Sequence, residues 1–336
     1  MKRIFLSLPA FLIIPVLLYA PLAQAGEEPE FVITDGWDDL NKVELYDSEF
    51  IIYGETCPSF WPPTRVDMTG GHIGNERDSD SGMFTYESST FNMSGGIVEY
   101  LHTFNSSTAN ISGGVVGNWF AMGEDFISAN DMSVINVYDG ANLTGGSFGF
   151  FQLYGSSTLN VHGGDIGVIL ILNGFSVANI YNGDLFDISI QHYSTVNVFG
   201  GYIGTFLGNL PVPETAMVNI YGYGFNYNPE AKWCYMEDPC DGWWVSKLTG
   251  YGCDGRPITY WGLPDLATHP NINLIPDFVP GRGVNLVDFA ILALAWQSRP
   301  GFDNWNPICD ISDPNDNVID ERDLPILSRY WLAGVK

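Results

Sequence analysis

Leu159-Asn160-Val161-His162-Gly163-Gly164 is the stretch that decides the fold, because its pattern recurs along the middle of the chain. Each copy places an Asn between two apolar residues and ends in a pair of glycines, with one variable position before them. Successive copies follow one another at intervals of 18 or 19 positions over much of this region. Full copies surround Asn92, Asn110, Asn142, Asn160 and Asn197, looser copies surround Asn136, Asn179 and Asn219, and one copy has Asp67 in the Asn position.

The alternation within each copy is typical of a β-strand, in which the two apolar residues face one side and the Asn faces the other. The glycine pair supplies a turn with positive φ, and a second apolar segment such as 166–172 often follows. A repeat this short buries its apolar face only when copies stack. We therefore predict a mainly β fold, a single-stranded parallel β-helix (β-solenoid) of seven or eight three-sided coils over residues 26–225.

The regular position of the Asn favours this solenoid over an antiparallel sandwich, whose hairpins would show two-residue turns and no fixed Asn register. Equivalent side chains in a parallel stack lie ~4.8 Å apart, and an amide both donates and accepts hydrogen bonds. Asn136 marks an alternative rung in the longer interval between Asn110 and Asn142. We predict a structural ladder of Asn92, Asn110, Asn142, Asn160, Asn179, Asn197 and Asn219.

The charge balance narrows the function. The chain has 13 Lys and Arg against 39 Asp and Glu, a formal net charge of −26, which argues against nucleic acids, anionic membranes and polyuronates as partners. No Lys or Arg occurs between Arg77 and Lys232, where stacked like charges would repel. Pectate-lyase-like β-helices, which this region resembles, use basic residues on the coil surface, and none is present here. Asp165 and Asp184 follow the turn in neighbouring coils, and we interpret them as solvated turn residues rather than as a catalytic pair. We therefore predict no catalytic residue.

The N-terminal segment has the features of an export signal. Lys2 and Arg3 precede an apolar run over 4–22 and the small-residue sequence Ala23-Gln24-Ala25. This predicts a bacterial signal peptide over 1–25, a secreted or cell-surface location and no membrane span in the mature chain. The five cysteines are an odd number, so at least one thiol does not pair within the chain.

Residues 226–272 are rich in aromatic side chains and contain three of the cysteines. An open end of a solenoid exposes strand edges, so we predict that this segment is a C-terminal cap. The alternative is a surface on which sugar rings stack, because flat aromatic faces suit them. The candidate stacking residues are Trp233, Trp243, Trp244 and Trp261.

The tail, residues 273–336, contains a second repeat with a period of 35. Phe289, Leu292 and Trp296 fall on one face of a helix, and Leu324, Leu327 and Trp331 repeat that stripe. Each predicted helix follows a loop rich in acids and Asn. The tail resembles a type I dockerin module, two calcium loop–helix segments in tandem, as found on exported proteins of Planctomycetes-type bacteria.

The dockerin resemblance implies calcium as a cofactor and a cohesin-like or other cell-surface protein as a partner. In the first loop it assigns Asp277, Asn285 and Asp288 to calcium, while Val279 and Gly281 stand where oxygen ligands are expected. In the second loop it assigns Asp310, Ser312, Asp316, Asp320 and Asp323. We expect a secreted, non-catalytic binding or structural protein of polysaccharide-associated assemblies. The alternative is a glycoside hydrolase or lyase displayed through the tail.

Overall fold

The computed structural model describes residues 30–33, 42–45, 50–53, 65–74, 81–117, 125–144, 149–206, 215–233, 243–253, 255–263, 271–279, 284–312 and 316–331. The predicted signal peptide lies outside these residues, as do Cys57, Cys234 and Cys240. Within the described ranges, no helix has the length and hydropathy needed to cross a membrane.

The chain is mainly β-structure. Its strands are β1 (Glu30–Ile33), β2 (Lys42–Leu45), β3 (Phe50–Tyr53), β4 (Arg65–Met68), β5 (His72–Ile73), β6 (Gly82–Thr85), β7 (Thr90–Val98), β8 (Leu101–Thr103), β9 (Thr108–Val116), β10 (Asp125–Ala129), β11 (Val134–Val137), β12 (Ala141–Leu143), β13 (Phe150–Leu153), β14 (Thr158–Val161), β15 (Asp165–Leu172), β16 (Val177–Ile180), β17 (Asp184–Ile190), β18 (Thr195–Val198), β19 (Tyr202–Phe206), β20 (Met217–Trp233), β21 (Trp243–Gly252), β22 (Pro257–Trp261) and β23 (Ile272–Pro276). The helices are α1 (Leu286–Leu294), α2 (Leu324–Arg329) and a short 3-10 helix (Pro307–Cys309).

These strands form a β-solenoid, which confirms the mainly β, solenoid part of the prediction. Three rows of parallel strands make its three sides. The first, which we name the Asn row, runs β1–β4–β7–β9–β11–β14–β16–β18–β20–β23. The second runs β5–β7–β9–β12–β15–β17–β19. The third runs β2–β6–β8–β10–β13–β15–β17–β19–β22.

Alternation along the strands builds the core. In β14, Leu159 and Val161 are fully buried inside the coil, whereas Asn160 lies between them on the outer face. β11, β16 and β18 show the same alternation. Stacked turns therefore bury one continuous apolar interior, which a single repeat cannot do.

The last Asn copy does not begin another complete coil. Its strand, β20, runs on for 17 residues and pairs in antiparallel fashion with β21, which pairs likewise with β22. Strand β23 returns to the Asn row and pairs with the start of β20. The predicted boundary between cap and tail at 272/273 therefore lies inside a strand of the solenoid.

The tail packs against this end of the solenoid. A second apolar cluster joins Tyr221 and Ile275 of the sheet to Val284, Leu292 and Leu327 of the tail. Helix α1 begins after Asn285, and α2 carries Pro325 in its first turn, where a missing N–H costs nothing. Both segments predicted to be helical are helical in part of their length.

Candidate functional site

The Asn row carries an unbroken ladder of side-chain hydrogen bonds on its outer face. In each step, the Nδ2 atom of one residue donates to the Oδ1 atom of the equivalent residue in the preceding turn, over 2.6 to 2.9 Å. The ladder consists of Asp67, Asn92, Asn110, Asn136, Asn160, Asn179, Asn197, Asn219 and Asn273.

One residue assigned to the ladder from the sequence lies elsewhere, since Asn142 belongs to β12 of the second row. Its register partners are Val115 and Asp165, and its Oδ1 atom is buried without a hydrogen-bond partner. The rung is Asn136, which the sequence offered as the alternative. Two Asn copies occur within one turn here, and only one of them can occupy the first side of the coil. Asn273, which starts no Gly-Gly turn, is a rung that the sequence pattern missed.

A buried serine three positions before each of six rungs is a further feature that sequence reasoning missed. These serines are fully buried at the corner that leads into the Asn row. Ser107, for example, bonds to Thr85 of the preceding turn at 3.0 Å. The signal was present as a fixed offset from the Asn, and it separates Asn136 from Asn142. The column consists of Ser89, Ser107, Ser133, Ser157, Ser176 and Ser194.

The ladder leaves hydrogen-bonding capacity on the protein surface. An amide has two N–H donors and an oxygen with two lone pairs. Asn110 uses one donor toward Asn92 and one lone pair toward Asn136. Within the ladder, each interior Asn therefore keeps one donor and one lone pair that these bonds do not use. The outer face thus presents a neutral, repeating donor–acceptor surface with a spacing of ~4.8 Å.

A column of stacked rings runs beside the ladder, two positions after each of five successive rungs, from Asn136 to Asn219. Centroids of neighbouring rings lie 4.3 to 5.1 Å apart, and the planes are within 16° of parallel. The exposure of the column changes along its length, from exposed Tyr138 to buried Tyr221, which belongs to the apolar cluster shared with the tail. The rings are Tyr138, His162, Tyr181, Phe199 and Tyr221.

A groove of about 510 Å³ opens where this column ends. Before Tyr138, the equivalent positions carry the small side chains of Ser112, Ser94 and Thr69. The groove is lined by these small side chains and by the first rungs of the ladder, and Arg65 stands at its other end. Its principal lining residues are Arg65, Asp67, Asn92, Asn110, Ser112 and Tyr138.

The second loop of the tail brings several predicted calcium ligands together. Asp323 is fully buried and accepts bonds from the N–H groups of Ile311 and Ser312, at 2.7 and 2.9 Å. Asp310 is buried beside it and accepts from the N–H of Asn317 at 2.9 Å. Burial, opposed in part by that hydrogen bond and reinforced by the charge of Asp323, raises the pKa of Asp310.

Asp316 and Asp320 differ from the other ligands of this loop, because both pair with the guanidinium of Arg322. The Arg322 side chain donates to Asp320 at 2.7 and 3.1 Å, and these bonds hold the pKa of that carboxyl below its usual range. Arg322 of the same chain therefore already supplies a positive charge to both carboxylates.

The first loop repeats the same design with fewer oxygens. Asp288 accepts from the N–H of Phe278 at 2.8 Å and from that of Asn285 at 2.9 Å, and Asn285 in turn accepts from Val287, which makes a capping box at α1. Asp277 is fully buried and accepts from Cys253 Sγ at 3.4 Å. Burial, followed by the charge of Asp288, raises the pKa of Asp277 to about 6.

The donor chemistry of the second loop suits a hard cation, since Asp310, Ser312 and Asp316 all offer oxygen. In the described part of the chain, however, no three acidic, His or Cys side chains are grouped as a metal site. Residues 313–315, which belong to this loop, lie outside that part. Buried Asp310 and Asp323 remain two like charges in one loop, an arrangement that a bound cation would stabilise.

The candidate sugar-stacking residues of the cap lie on the β20–β21–β22 sheet. Trp233 and Trp243 are register partners, and Lys232 pairs with Trp244. The side chains of these three Trp residues lie outside the described part of the structure. Trp261 is half-buried, and Lys247 Nζ lies 4.8 Å from its ring centroid. A cation therefore already occupies one side of that ring.

The tail presents large apolar side chains to solvent on helix α1. Leu286 and Leu294 are 71% and 77% exposed, and Val287 and Phe289 lie between them, also exposed. Phe289 contacts Trp331 of the second segment edge to face, with centroids 6.5 Å apart. Leu286 and Val287 thus lie on an exposed apolar surface.

Comparison with known proteins assigns none of these features, because the chain matches no protein-family model, no curated protein and no solved structure.

Proposed function

We propose that this chain is an exported, non-catalytic binding or structural protein of polysaccharide-associated assemblies. The observation that carries the proposal is the continuous Asn ladder, a neutral face that offers donors and acceptors at every turn. Polysaccharide hydroxyl groups both donate and accept, so they match such a face. Because the protein has a net charge of −26, it should repel acidic polysaccharides, so we expect a neutral polysaccharide as the ligand.

The proposal includes attachment through the dockerin-like tail to a cell-surface protein. Exposed Leu286, Val287 and Leu294 support a protein contact, because large exposed apolar surfaces commonly mark interaction sites. Calcium binding by the second loop belongs to the same proposal and is supported by the buried carboxylates of Asp310 and Asp323.

A polysaccharide panel tests the central claim. The purified full-length mature protein is run through gels containing β-glucan, xylan, mannan or polygalacturonate, and reducing ends are measured after incubation with each. We expect retardation by at least one neutral polysaccharide without release of reducing ends. Depolymerisation would establish the alternative, an enzyme displayed through its tail, and absence of retardation in every gel would contradict polysaccharide binding.

Attachment is tested on the bacterium that exports the protein. Leu286→Lys with Leu294→Lys should release the protein from washed cell envelopes into the medium. Exposed Met132→Lys with Phe186→Lys is the control, because it introduces the same two charges at exposed apolar positions away from the tail. Equal envelope retention of the double variant and the parent protein would contradict a docking role for helix α1.

A further inference from the structure

We infer that the groove beside Tyr138 binds one neutral pyranose unit of a polysaccharide, with the sugar ring stacked on Tyr138 and its hydroxyl groups bonded to the Asn ladder. The inference rests on the proposed polysaccharide-binding function and gives it a location and a ligand class. It places the stacked sugar at a position other than the cap Trp residues.

The ring column defines the slot for the sugar. His162 stacks on one face of Tyr138, with centroids 5.1 Å apart and planes 13° from parallel. The opposite face points along the solenoid axis toward the preceding turn, where the equivalent residue is Ser112. The serine side chain is too short to cover a ring, so the slot that later turns fill with an aromatic ring is part of the groove.

A pyranose ring matches the size and chemistry of that slot. Turns repeat every ~4.8 Å, so each turn has room for one ring in the column. The slot at Ser112 is one turn deep and therefore has room for one sugar ring. The C–H face of a sugar packs against an aromatic face, while its hydroxyl groups lie around the rim, where they need polar partners. A purely apolar ligand would leave the polar groups of the groove without hydrogen-bond partners.

The groove supplies such partners beside the slot. Asn110 and Asn92 each retain one N–H donor and one lone pair beyond the ladder bonds. Ser112 donates its hydroxyl to the carbonyl of Met93 at 3.1 Å, which leaves the oxygen able to accept. Mixed donors and acceptors around an aromatic face are the usual composition of a small-ligand site.

The charges in the groove favour a neutral sugar over a uronate. Arg65 donates to both carboxylate oxygens of Asp67, at 2.9 and 2.6 Å, and Asp67 also accepts from Asn92. The cation at the far end of the groove is therefore paired with an acid. A carboxylated sugar would compete with Asp67 for Arg65 and would approach a strongly acidic protein.

Two variants test the groove, and two others serve as matched controls. Ser112→Tyr extends the ring column into the slot, and the fold should accept it because five later turns carry a ring at this position. Tyr138→Ser removes the stacking face. Phe175 and Tyr193 form another exposed stacked pair, at a different corner, with centroids 5.2 Å apart. Ser156→Tyr and Phe175→Ser make the same exchanges there.

The measurement is calorimetric titration of the full mature chain with cellohexaose, xylohexaose, mannohexaose and hexagalacturonate, with circular dichroism to verify folding. We expect the parent protein to bind at least one neutral hexaose. Ser112→Tyr and Tyr138→Ser should each weaken that binding at least about ten-fold, which corresponds to ~1.4 kcal/mol. The two controls should stay within about two-fold of the parent protein.

The possible failures are distinguishable. If the parent protein binds a neutral hexaose and both groove variants bind it equally well, the groove assignment is wrong and the proposed function stands. Preference for hexagalacturonate would overturn the neutral ligand class. If the parent protein binds no hexaose and no polysaccharide in the panel, both the groove and the proposed polysaccharide role fail. Should Ser112→Tyr not fold, Tyr138→Ser decides alone.

Discussion

Asn136 Nδ2 donates a 2.7 Å hydrogen bond to Asn110 Oδ1, although 26 positions separate the two residues. Asn110 makes the same bond, at the same distance, to Asn92 only 18 positions away. The turns therefore differ in length while the rungs keep their spacing. Insertions are accommodated at the corners, such as the longer connection between β9 and β10, and the Asn row keeps its register.

The ladder predicts a position-specific cost of removing one amide. Asn160→Ala deletes the donor to Asn136 and the acceptor for Asn179, and leaves both neighbours with an unmet bond in a half-buried position. We expect the free energy of unfolding to fall by about 1–3 kcal/mol in urea denaturation. Asn142→Ala removes an amide oxygen that has no partner, so its free energy of unfolding should fall by clearly less. Equal losses would mean that ladder bonds do not stabilise the solenoid.

Two glycines, one in a solenoid turn and one in the tail, predict two different penalties on substitution by alanine. A Cβ at Gly113 would lie 2.5 Å from the carbonyl oxygen of Ser94 in the preceding turn, although φ at Gly113 is ordinary. Gly113→Ala should therefore push the turns apart and cost more than about 2 kcal/mol, as overpacking does. Gly301 has φ of +97° with nothing within 4 Å, so Gly301→Ala reports backbone strain alone, about 1 kcal/mol. Similar melting temperatures for the two variants would contradict the close-approach account.

The sequence predicted the fold class because a period-two pattern ending in Gly-Gly has few structural solutions. Asn160 and Asn197 could be placed from their own six-residue copies alone. The choice between Asn136 and Asn142 could not be made in this way, since both have apolar neighbours and a glycine after them. It depends on which copy follows Ser133, and the structure gives the reason, because the serines at this fixed offset are buried at one stacked corner.

The groove was beyond the reach of sequence reasoning for a related reason. The position that carries Ser112 in one turn and Tyr138 in the next is the variable position of the repeat. Nothing in a single copy shows that rings at this position stack from turn to turn, or that the stack ends at Tyr138. The Trp residues of the cap are close together in the sequence, and sugar stacking was therefore predicted there. The rings of the column are distributed over more than eighty positions and form no such cluster in the sequence.

The calcium binding that we propose for the second loop can be measured directly. Calorimetry of the full mature chain should show heat for at least one calcium site, and that heat should disappear in Asp310→Ala with Asp316→Ala, because both supply carboxylate oxygen to the loop. Asp303→Ala with Glu321→Ala removes the same charge from exposed positions and should retain the site. The absence of heat in the parent protein would end the calcium assignment.

The first loop predicts a stability that falls as pH rises when metal is absent. Asp277 has a folded pKa of about 6 against an ordinary value of 3.8, mainly because of burial and then because of Asp288. Its contribution is fully present below pH 3.8 and is lost as pH rises through 6, because the folded chain holds this proton more tightly than the unfolded chain does. Asp277→Asn keeps an oxygen for the N–H of Val279 but cannot ionise.

In excess chelator, the difference in unfolding free energy between Asp277→Asn and the parent protein should therefore shift in favour of the variant between pH 4 and pH 7.5. The shift has an upper bound of about 3 kcal/mol from the change in pKa. Asp303→Asn makes the same substitution at an exposed position and serves as the control. A pH-independent difference would show that Asp277 ionises in the folded protein as readily as in the unfolded chain, and that its burial against Asp288 carries no electrostatic cost.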